Sequence, residues 1–258
     1  MEGIDVSEID AVIERLDAII DDALDTGDRM GWFAAMYRRV TIAVRNAILA
    51  GDFEDGPRMA RFDKIFADRF IAAWDHVRAG EQPTRSWQVA FDAAQKWRPV
   101  IVQQLLLGMN AHINLDLGIA AEAVAPGGEI DGLKNDFDTI NRILSELTNG
   151  FVVQVDALSP WFARINRIAG SADDEIIKWS IEGARLGAWG LATDLARRPD
   201  DRAAIIAERD AFTVDLAGAI RRPGWVVLPS LLFLARLREP NDVDEVTRFL
   251  IDPPEPSR

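Results

Sequence analysis

The sequence predicts an all-α protein, a single-domain bundle of about nine to eleven helices. Apolar residues recur at three- and four-residue spacing over most of the 258 residues, which is the pattern of amphipathic helices. No segment alternates polar and apolar residues over the length of a strand, and Gly, Pro or Asp separates the periodic segments. Because no flexible linker divides the chain, we expect one α-helical domain over 1–251 and a disordered tail at 252–258.

Four helices are predicted before residue 100. A motif that resembles a capping box, SEID at 7–10, precedes the first. The four helices run from there to about Gly27, from a cap at Asp28 to Gly51, from the turn at 52–57 to Gly80, and around Trp87 up to a break or kink at Pro99.

The second part of the chain continues in the same pattern. We expect further helices at 100–125, at 130–147, near Trp161 after the Ser159-Pro160 break, at 176–198 behind a cap at 171–175, and at 199–220. A loop at 126–128 and a break at 222–224 interrupt this series, and two short helices complete it.

Composition excludes several classes of function. The formal charge of −13, with no basic block, disfavours nucleic-acid and anionic-membrane partners. There is no Cys and only two His, so thiol chemistry, zinc–thiolate sites and a three-histidine zinc site are excluded within one chain. A divalent metal (Mg, Mn, Fe or Zn) would need carboxylate ligands. The acidic N-terminus lacks an apolar signal core and the apolar run at 225–234 is too short to span a bilayer, so we expect a cytoplasmic protein.

The most informative stretch is 108–117, GMNAHINLDL, inside the fifth predicted helix. His112 and Asp116 fall on its apolar stripe and are four residues apart, so their side chains meet on that face. Asn110 and Asn114 form a second pair of the same spacing on a flank.

Other predicted helices also carry a charged residue on the apolar face. These residues are Asp63 on the third helix, Asp136 on the sixth and Arg185 on the eighth. Burial of an unpaired charge costs several kcal/mol. We therefore expect these charges to converge with His112 and Asp116 in some combination.

Two hypotheses follow. In the first, the protein is a small-molecule enzyme, metal-assisted or acid–base, that carries out hydrolysis, cyclisation or isomerisation in a polar site inside the bundle. Its predicted catalytic residues are His112, Asp116, Asp136 and Arg185. Its predicted substrate-binding residues are Asn110, Asn114, Asp63, Tyr37 and Trp189. If a metal ion binds, its candidate ligands are His112 and Asp116. In the second, a ligand-binding or scaffold protein uses the same residues as a buried structural network. A homo-oligomer is compatible with both.

Two further patterns have simpler explanations. Most tryptophans, including Trp87, Trp97, Trp161, Trp179 and Trp189, are expected to pack between helices, and His76 is expected to face solvent. The DDALD segment at 21–25 and NDFDT at 135–139 resemble the metal motifs of class I terpene cyclases. The first should face water, however, and Ile143 stands where the second motif needs an acid.

The 108–117 signature resembles that of a bacterial helical family, domain-of-unknown-function family 5995. The resemblance continues in YRRVT at 37–41, GDFED at 51–55, FDKIFA at 62–67, NDF at 135–137 and the stretch from Trp179 through Arg185 to Trp189, covering about residues 28–198. The resemblance implies a helical fold and supports the location of the site, but it implies no reaction.

Overall fold

The computed structural model describes residues 5–140, 142–143, 157–159, 181–222 and 228–252, and in these residues every regular element is helical. The predicted all-α, single-domain fold is thus confirmed. Predictions for the later part of the sixth helix, for the helix near Trp161 and the cap at 171–175, for Trp179 and for most of the tail concern residues outside these ranges. No helix in the described part of the chain is long and apolar enough to cross a membrane.

The helices follow the predicted order. The first six are α1 Ser7–Thr26, α2 Met30–Ala50, α3 Gly56–Arg78, α4 Arg85–Ala94, α5 Ile101–Ala111 and α6 Leu117–Val124. The next five are α7 at 134–140, α8 Ile181–Arg197, α9 Arg202–Arg221, α10 Leu228–Arg236 and α11 Val243–Ile251. Short 3₁₀ segments, Gly127–Leu133 and Pro199–Asp201, precede α7 and α9.

The predicted helix ends at glycine are correct. Gly27 and Gly51 directly follow α1 and α2 with φ of 67° and 79°, and Gly80 lies two residues beyond α3 with φ of 76°. These left-handed conformations are readily adopted only by glycine. At the start of α2, Arg29 occupies the cap position, and the predicted cap, Asp28, lies one residue earlier, where its Oδ1 accepts a hydrogen bond from the Met30 amide at 2.9 Å.

The capping box predicted at residues 7–10 is wrong. Ser7 is already the first helical residue and Val6 occupies the cap position. The Asp5 carboxylate accepts the hydrogen bond of the Ser7 amide at 2.9 Å instead. A carboxylate is favoured there because the N-terminus of a helix carries partial positive charge.

Three buried carboxylates accept hydrogen bonds from backbone amides that lie at, or just before, the first residue of a helix distant in sequence. Asp136 accepts hydrogen bonds from two amides just before α3, Asp210 from two amides at the start of α4, and Glu239 from the first amide of α5. Each contact satisfies backbone donors that lack an intrahelical partner. These acids therefore have structural roles that explain their burial.

Two groups of apolar side chains form most of the core, and they meet beside the 108–117 stretch. One group centres on Phe33 and Trp87 between α2, α4 and α5. The other joins α3, α6 and α8. Val40, Phe66 and Met109 are partly buried and pack against both groups. The predicted site thus lies at the junction of the two.

The close approach of α6 and α8 requires a glycine at position 118. A Cβ atom there would lie 2.7 Å from the Ala188 carbonyl oxygen and 2.8 Å from the nearest side-chain atom of Leu191. Backbone cannot yield easily at this distance, so the two helices would have to separate. The packing of α8 on α6 depends on this residue.

We predict that Gly118→Ala lowers the free energy of unfolding by about 2 kcal/mol, since overpacking outweighs the higher helix propensity of Ala. Urea titration followed by circular dichroism measures this change. The control is Gly218→Ala in α9, where a Cβ atom would have no neighbour within 4 Å. Equal stability of the two variants would contradict the prediction.

Candidate functional site

The segment His112–Asp116 is a π-helical turn between α5 and α6. The Leu117 amide donates to the His112 carbonyl oxygen, five residues earlier. Such turns disturb the regular ladder of a helix and are frequent at functional sites. Periodicity had predicted one uninterrupted α-helix here, so the π turn is a feature that sequence reasoning missed.

Asp116 is fully buried, with 0% of its surface exposed, and three side chains surround its carboxylate. Arg69 Nε donates to Oδ1 at 2.6 Å, and Trp87 Nε1 donates to Oδ2 at 2.7 Å. His112 Nδ1 lies 3.3 Å from the same Oδ2 atom. The carboxylate thus joins α3 and α4 to the π turn, and its charge is balanced by Arg69.

His112 is 2% exposed and lies among aromatic rings. Phe66 stacks on the imidazole with centroids 3.6 Å apart and planes 9° apart, and the Tyr37 ring packs edge to face with the imidazole at a centroid distance of 4.6 Å. The rings of Phe33, Phe70 and Trp87 have centroids within 6.5 Å. These contacts fix the orientation of the imidazole on several sides.

Burial lowers the pKa of His112 below its usual value, although the hydrogen bond to Asp116 acts in the opposite direction. The imidazole is therefore neutral at pH 7. Since Asp116 is an acceptor, the proton of the neutral ring belongs on Nδ1 and the lone pair on Nε2. His112 Nε2 is buried and has no hydrogen-bond partner within the described part of the chain.

Two neighbouring side chains also have a buried polar atom without a partner in the described residues: the Tyr37 hydroxyl and Asp63 Oδ2. Burial and the nearby charge of Asp63 raise the pKa of Tyr37 well above its usual value, although the neighbouring Thr41 side chain acts in the opposite direction, so the phenol keeps its proton. Burial raises the pKa of Asp63 to about 7. Tyr37 contacts His112 through its ring and interacts electrostatically with Asp63, so it connects the other two residues.

Buried polar groups in folded proteins nearly always have a partner, which makes this grouping informative. Other buried atoms without a described partner include guanidinium nitrogens of Arg29, Arg58 and Arg236, each of which donates through another nitrogen. The remaining atoms are Trp32 Nε1 and Thr247 Oγ1. The set on Tyr37, Asp63 and His112 differs because Tyr37 contacts the His112 ring and interacts electrostatically with Asp63, and because His112 pairs with Asp116.

Asp136 belongs to a different network. Its carboxylate accepts from the Glu54 amide at 2.7 Å, the Asp55 amide at 3.1 Å and Arg58 Nη2 at 2.8 Å. These partners hold the turn before α3, and none of the contacts that the structure gives for Asp136 leads to His112. The sequence pattern marked Asp136 as buried, but the geometry gives it the role of fixing a turn.

Arg185 and Trp189 also lie apart from the His112–Asp116 pair in the contacts described. Arg185 Nη2 donates to the Phe137 carbonyl oxygen at 3.1 Å, and its guanidinium lies 4.9 Å from the centre of the Phe137 ring. Burial lowers the pKa of Arg185 to about 9. Trp189 packs 5.0 Å from Phe137. The structure thus groups these two residues with α7.

Asn110 and Asn114 form the predicted i, i+4 pair, but they face α9. Asn114 Nδ2 donates to Asn110 Oδ1 at 3.0 Å, and Asn110 Nδ2 donates to the Thr213 carbonyl oxygen at 2.8 Å. Both residues are buried. Their described contacts connect α5 and the π turn to α9, away from the aromatic rings around His112.

The other predictions can be placed in the same way. Among the residues with described positions, no cluster of three or more His, Cys, Asp or Glu is arranged to hold a metal ion. His76 is half exposed, as expected. The acids at Asp21 and Asp25 face solvent and Asp22 pairs with Arg78, so the terpene-cyclase-like motif does not line an interior site.

Sequence reasoning did not identify Arg69, yet a signal for it exists. Residues 59, 62, 66, 69 and 73 follow a strict three–four spacing on α3, so Arg69 lies on the same face as Phe62 and Phe66. Trp87 was correctly predicted to pack between helices. Its donation to Asp116 could not be predicted, because this contact depends on how α4 crosses α5.

We predict that Asp136→Asn lowers the free energy of unfolding by about 2–4 kcal/mol, since an amide cannot accept from two backbone amides and an arginine together. Asp131→Asn is the control, because Asp131 is exposed and its described ion pair, with Arg197, is exposed as well. Urea titration distinguishes them, and a loss of the same size in both would contradict the assigned role.

Asp63 should make the stability pH-dependent. Its pKa is about 7 in the folded protein against 3.8 for the unperturbed group, so the folded state retains a proton that the unfolded state releases. Stability from this group is therefore complete below about pH 4 and is lost as pH rises to about 7.

We predict that, relative to wild type, Asp63→Asn is more stable at pH 8 than at pH 5 by about 2 kcal/mol. Urea titrations at both values measure the difference. Asp68→Asn serves as a control, because Asp68 lies on the same helix and is half exposed. A pH-independent difference between wild type and Asp63→Asn would show that Asp63 is not protonated in the folded state.

Comparison with known proteins agrees with the signature in the sequence. No curated protein and no solved structure matches the chain significantly. The model of a family of unknown function, DUF5995, matches residues 9–223, which extends beyond the 28–198 region of the resemblance. Because this match covers most of the chain and includes the His112–Asp116 turn, the protein belongs to the DUF5995 family.

Proposed function

We propose that the protein is a small-molecule enzyme that uses acid–base chemistry, with His112 as the base. The observation that supports this most directly is the buried His112–Asp116 pair, in which His112 Nε2 has no partner among the described residues and the imidazole packs against the Tyr37 ring. The base lies in the π turn directly after α5, and the candidate acid, Tyr37, lies on α2, which packs against α5. Isomerisation by proton transfer is the reaction class that such a pair serves best.

Asp116 has two effects on His112 in this proposal. By accepting from Nδ1, it selects the tautomer whose lone pair is on Nε2. It also stabilises the imidazolium that forms when Nε2 takes a proton from the substrate. Arg69 and Trp87 hold the carboxylate in place, so no side chain has to reorganise during the transfer.

Tyr37 supplies the second half of the reaction. Its raised pKa keeps the phenol protonated, so it donates a hydrogen bond to the substrate atom that gains negative charge. The surrounding rings lower the local dielectric and strengthen both interactions. A metal-assisted version of the mechanism has less support, since His112 and Asp116 lack a third ligand among the described residues.

A purely structural network is the alternative, and the free polar atoms argue against it. Within the group formed by Tyr37, Asp63, His112 and Asp116, the Asp116 carboxylate has a hydrogen-bond partner for each of its oxygens, as a structural group would. The Tyr37 hydroxyl, Asp63 Oδ2 and His112 Nε2 lack protein partners in the described chain, and a partly satisfied polar network is less stable than an apolar core. A cytoplasmic location and a homo-oligomeric state remain predictions from the sequence alone.

The first test is the protonation state of His112. We predict that ¹⁵N NMR at pH 7 shows a neutral ring with the proton on Nδ1. The chain has only two histidines, so His76→Asn leaves a single imidazole and assigns the signals without ambiguity. A proton on Nε2, or a charged ring at pH 7, would contradict the proposed role as base.

Turnover is the second part of the same test. A panel of enolisable carbonyl compounds and α-substituted acids and amines is assayed for proton exchange with deuterated solvent. We expect His112→Gln to lower any exchange rate by about 100-fold or more, and Tyr37→Phe by about tenfold, with the helical content preserved. Exchange that is as fast in His112→Gln as in His76→Asn would refute the role.

A further inference from the structure

The site beside His112 has more free acceptors than donors, which bears on the kind of ligand it takes. Asp63 Oδ2 and His112 Nε2 both offer lone pairs, and the Tyr37 hydroxyl can accept as well as donate. Two donors nearby, Arg69 Nε and Trp87 Nε1, are already bonded to Asp116. A ligand that brings its own N–H or O–H groups would satisfy the free acceptors.

The charge of the site points in the same direction. Asp116 is balanced by Arg69 at 2.6 Å. Asp63 is only 7% exposed, and no ion pair joins it to a cation within the described ranges. Its environment favours the neutral acid because burial is not compensated by a positive charge. A cationic ligand would supply that charge and allow Asp63 to ionise.

The rings around the site would also favour a cation. Phe33, Tyr37, Phe66, Phe70 and Trp87 all lie close to His112. Aromatic faces attract ammonium and guanidinium groups, and the attraction is larger where water is excluded. Phe66, Arg69 and Met109 are partly exposed in this region, so we expect a ligand to reach the buried atoms from the side on which they lie.

We propose that the substrate of this site is an organic cation, a protonated primary amine or amidine on an apolar body, with its nitrogen held by Asp63 and its reactive carbon facing His112. This inference rests on the proposed function for the role of His112, but it assigns Asp63 a separate task. Asp63 is a binding residue in it, and it neither gives nor takes the proton that moves in the reaction.

The test is a comparison of matched probes by calorimetry and NMR at pH 8. The probes are 2-phenylethylamine and benzamidine as cations, 2-phenylethanol as the neutral analogue and 3-phenylpropionate as the anion. We expect the cations to bind at least about tenfold more tightly than the alcohol or the carboxylate, and Asp63→Asn to remove this preference. Asp68→Asn, at an exposed position on the same helix, should keep it.

Every outcome of the probe comparison either supports or contradicts the proposal of a cationic substrate. Tighter binding of the alcohol or carboxylate, unchanged cation affinity in Asp63→Asn, or no cation binding at about 10 mM would overturn it. The two proposals fail separately. A wrong His112 tautomer with cation binding intact refutes only the acid–base role, whereas the expected tautomer without cation preference refutes only the substrate class.

Discussion

The buried carboxylate of Asp116 is the interaction on which this part of the structure depends. It has no exposed surface, so its charge would be costly without the Arg69 guanidinium, the Trp87 indole and the His112 imidazole around it. Those three partners come from α3, α4 and the π turn, which are far apart in sequence. Satisfying one carboxylate therefore fixes how three helices cross and, with them, the direction in which His112 Nε2 points.

Other buried acids in the protein solve the same electrostatic problem differently. Asp136, Asp210 and Glu239 accept from backbone amides at or before the starts of helices, where donors would otherwise lack partners. These hydrogen bonds explain why the three carboxylates are buried. Asp63 is the exception, because its Oδ2 atom has no partner in the described chain and its pKa rises to about 7. Asp63 interacts electrostatically with Tyr37, and the Tyr37 ring packs against His112.

The fold was predictable from the sequence because its determinants are local. Helical periodicity, and glycines such as Gly27 and Gly51 that permit left-handed backbone, act within a few residues. The pairing of His112 with Asp116 is local too, and it was predicted correctly. The partners of Asp136 and Arg185 were not predictable, because burial of a charge says that it needs a partner but not which helix supplies it. The three–four spacing of α3 could have identified Arg69 as a residue of the buried face, whereas the sequence of the π turn contains no pattern that distinguishes it from an α-helix.

The division of the buried polar residues into separate networks has a consequence for how this protein works. If the buried polar residues served only to specify how helices pack, we would expect them to hydrogen-bond to one another or to backbone. Asn110 and Asn114 do so, since they bond to each other and Asn110 bonds to α9. At His112 the fold instead uses its donors to hold Asp116 and leaves acceptors free among aromatic rings. Free acceptors in a dry environment lower stability, and proteins tolerate that cost where a site must be organised in advance for a ligand. The cost falls on Tyr37 and on the two residues that interact with it, Asp63 and His112, which are the residues that the proposed proton transfer on a bound cation would use.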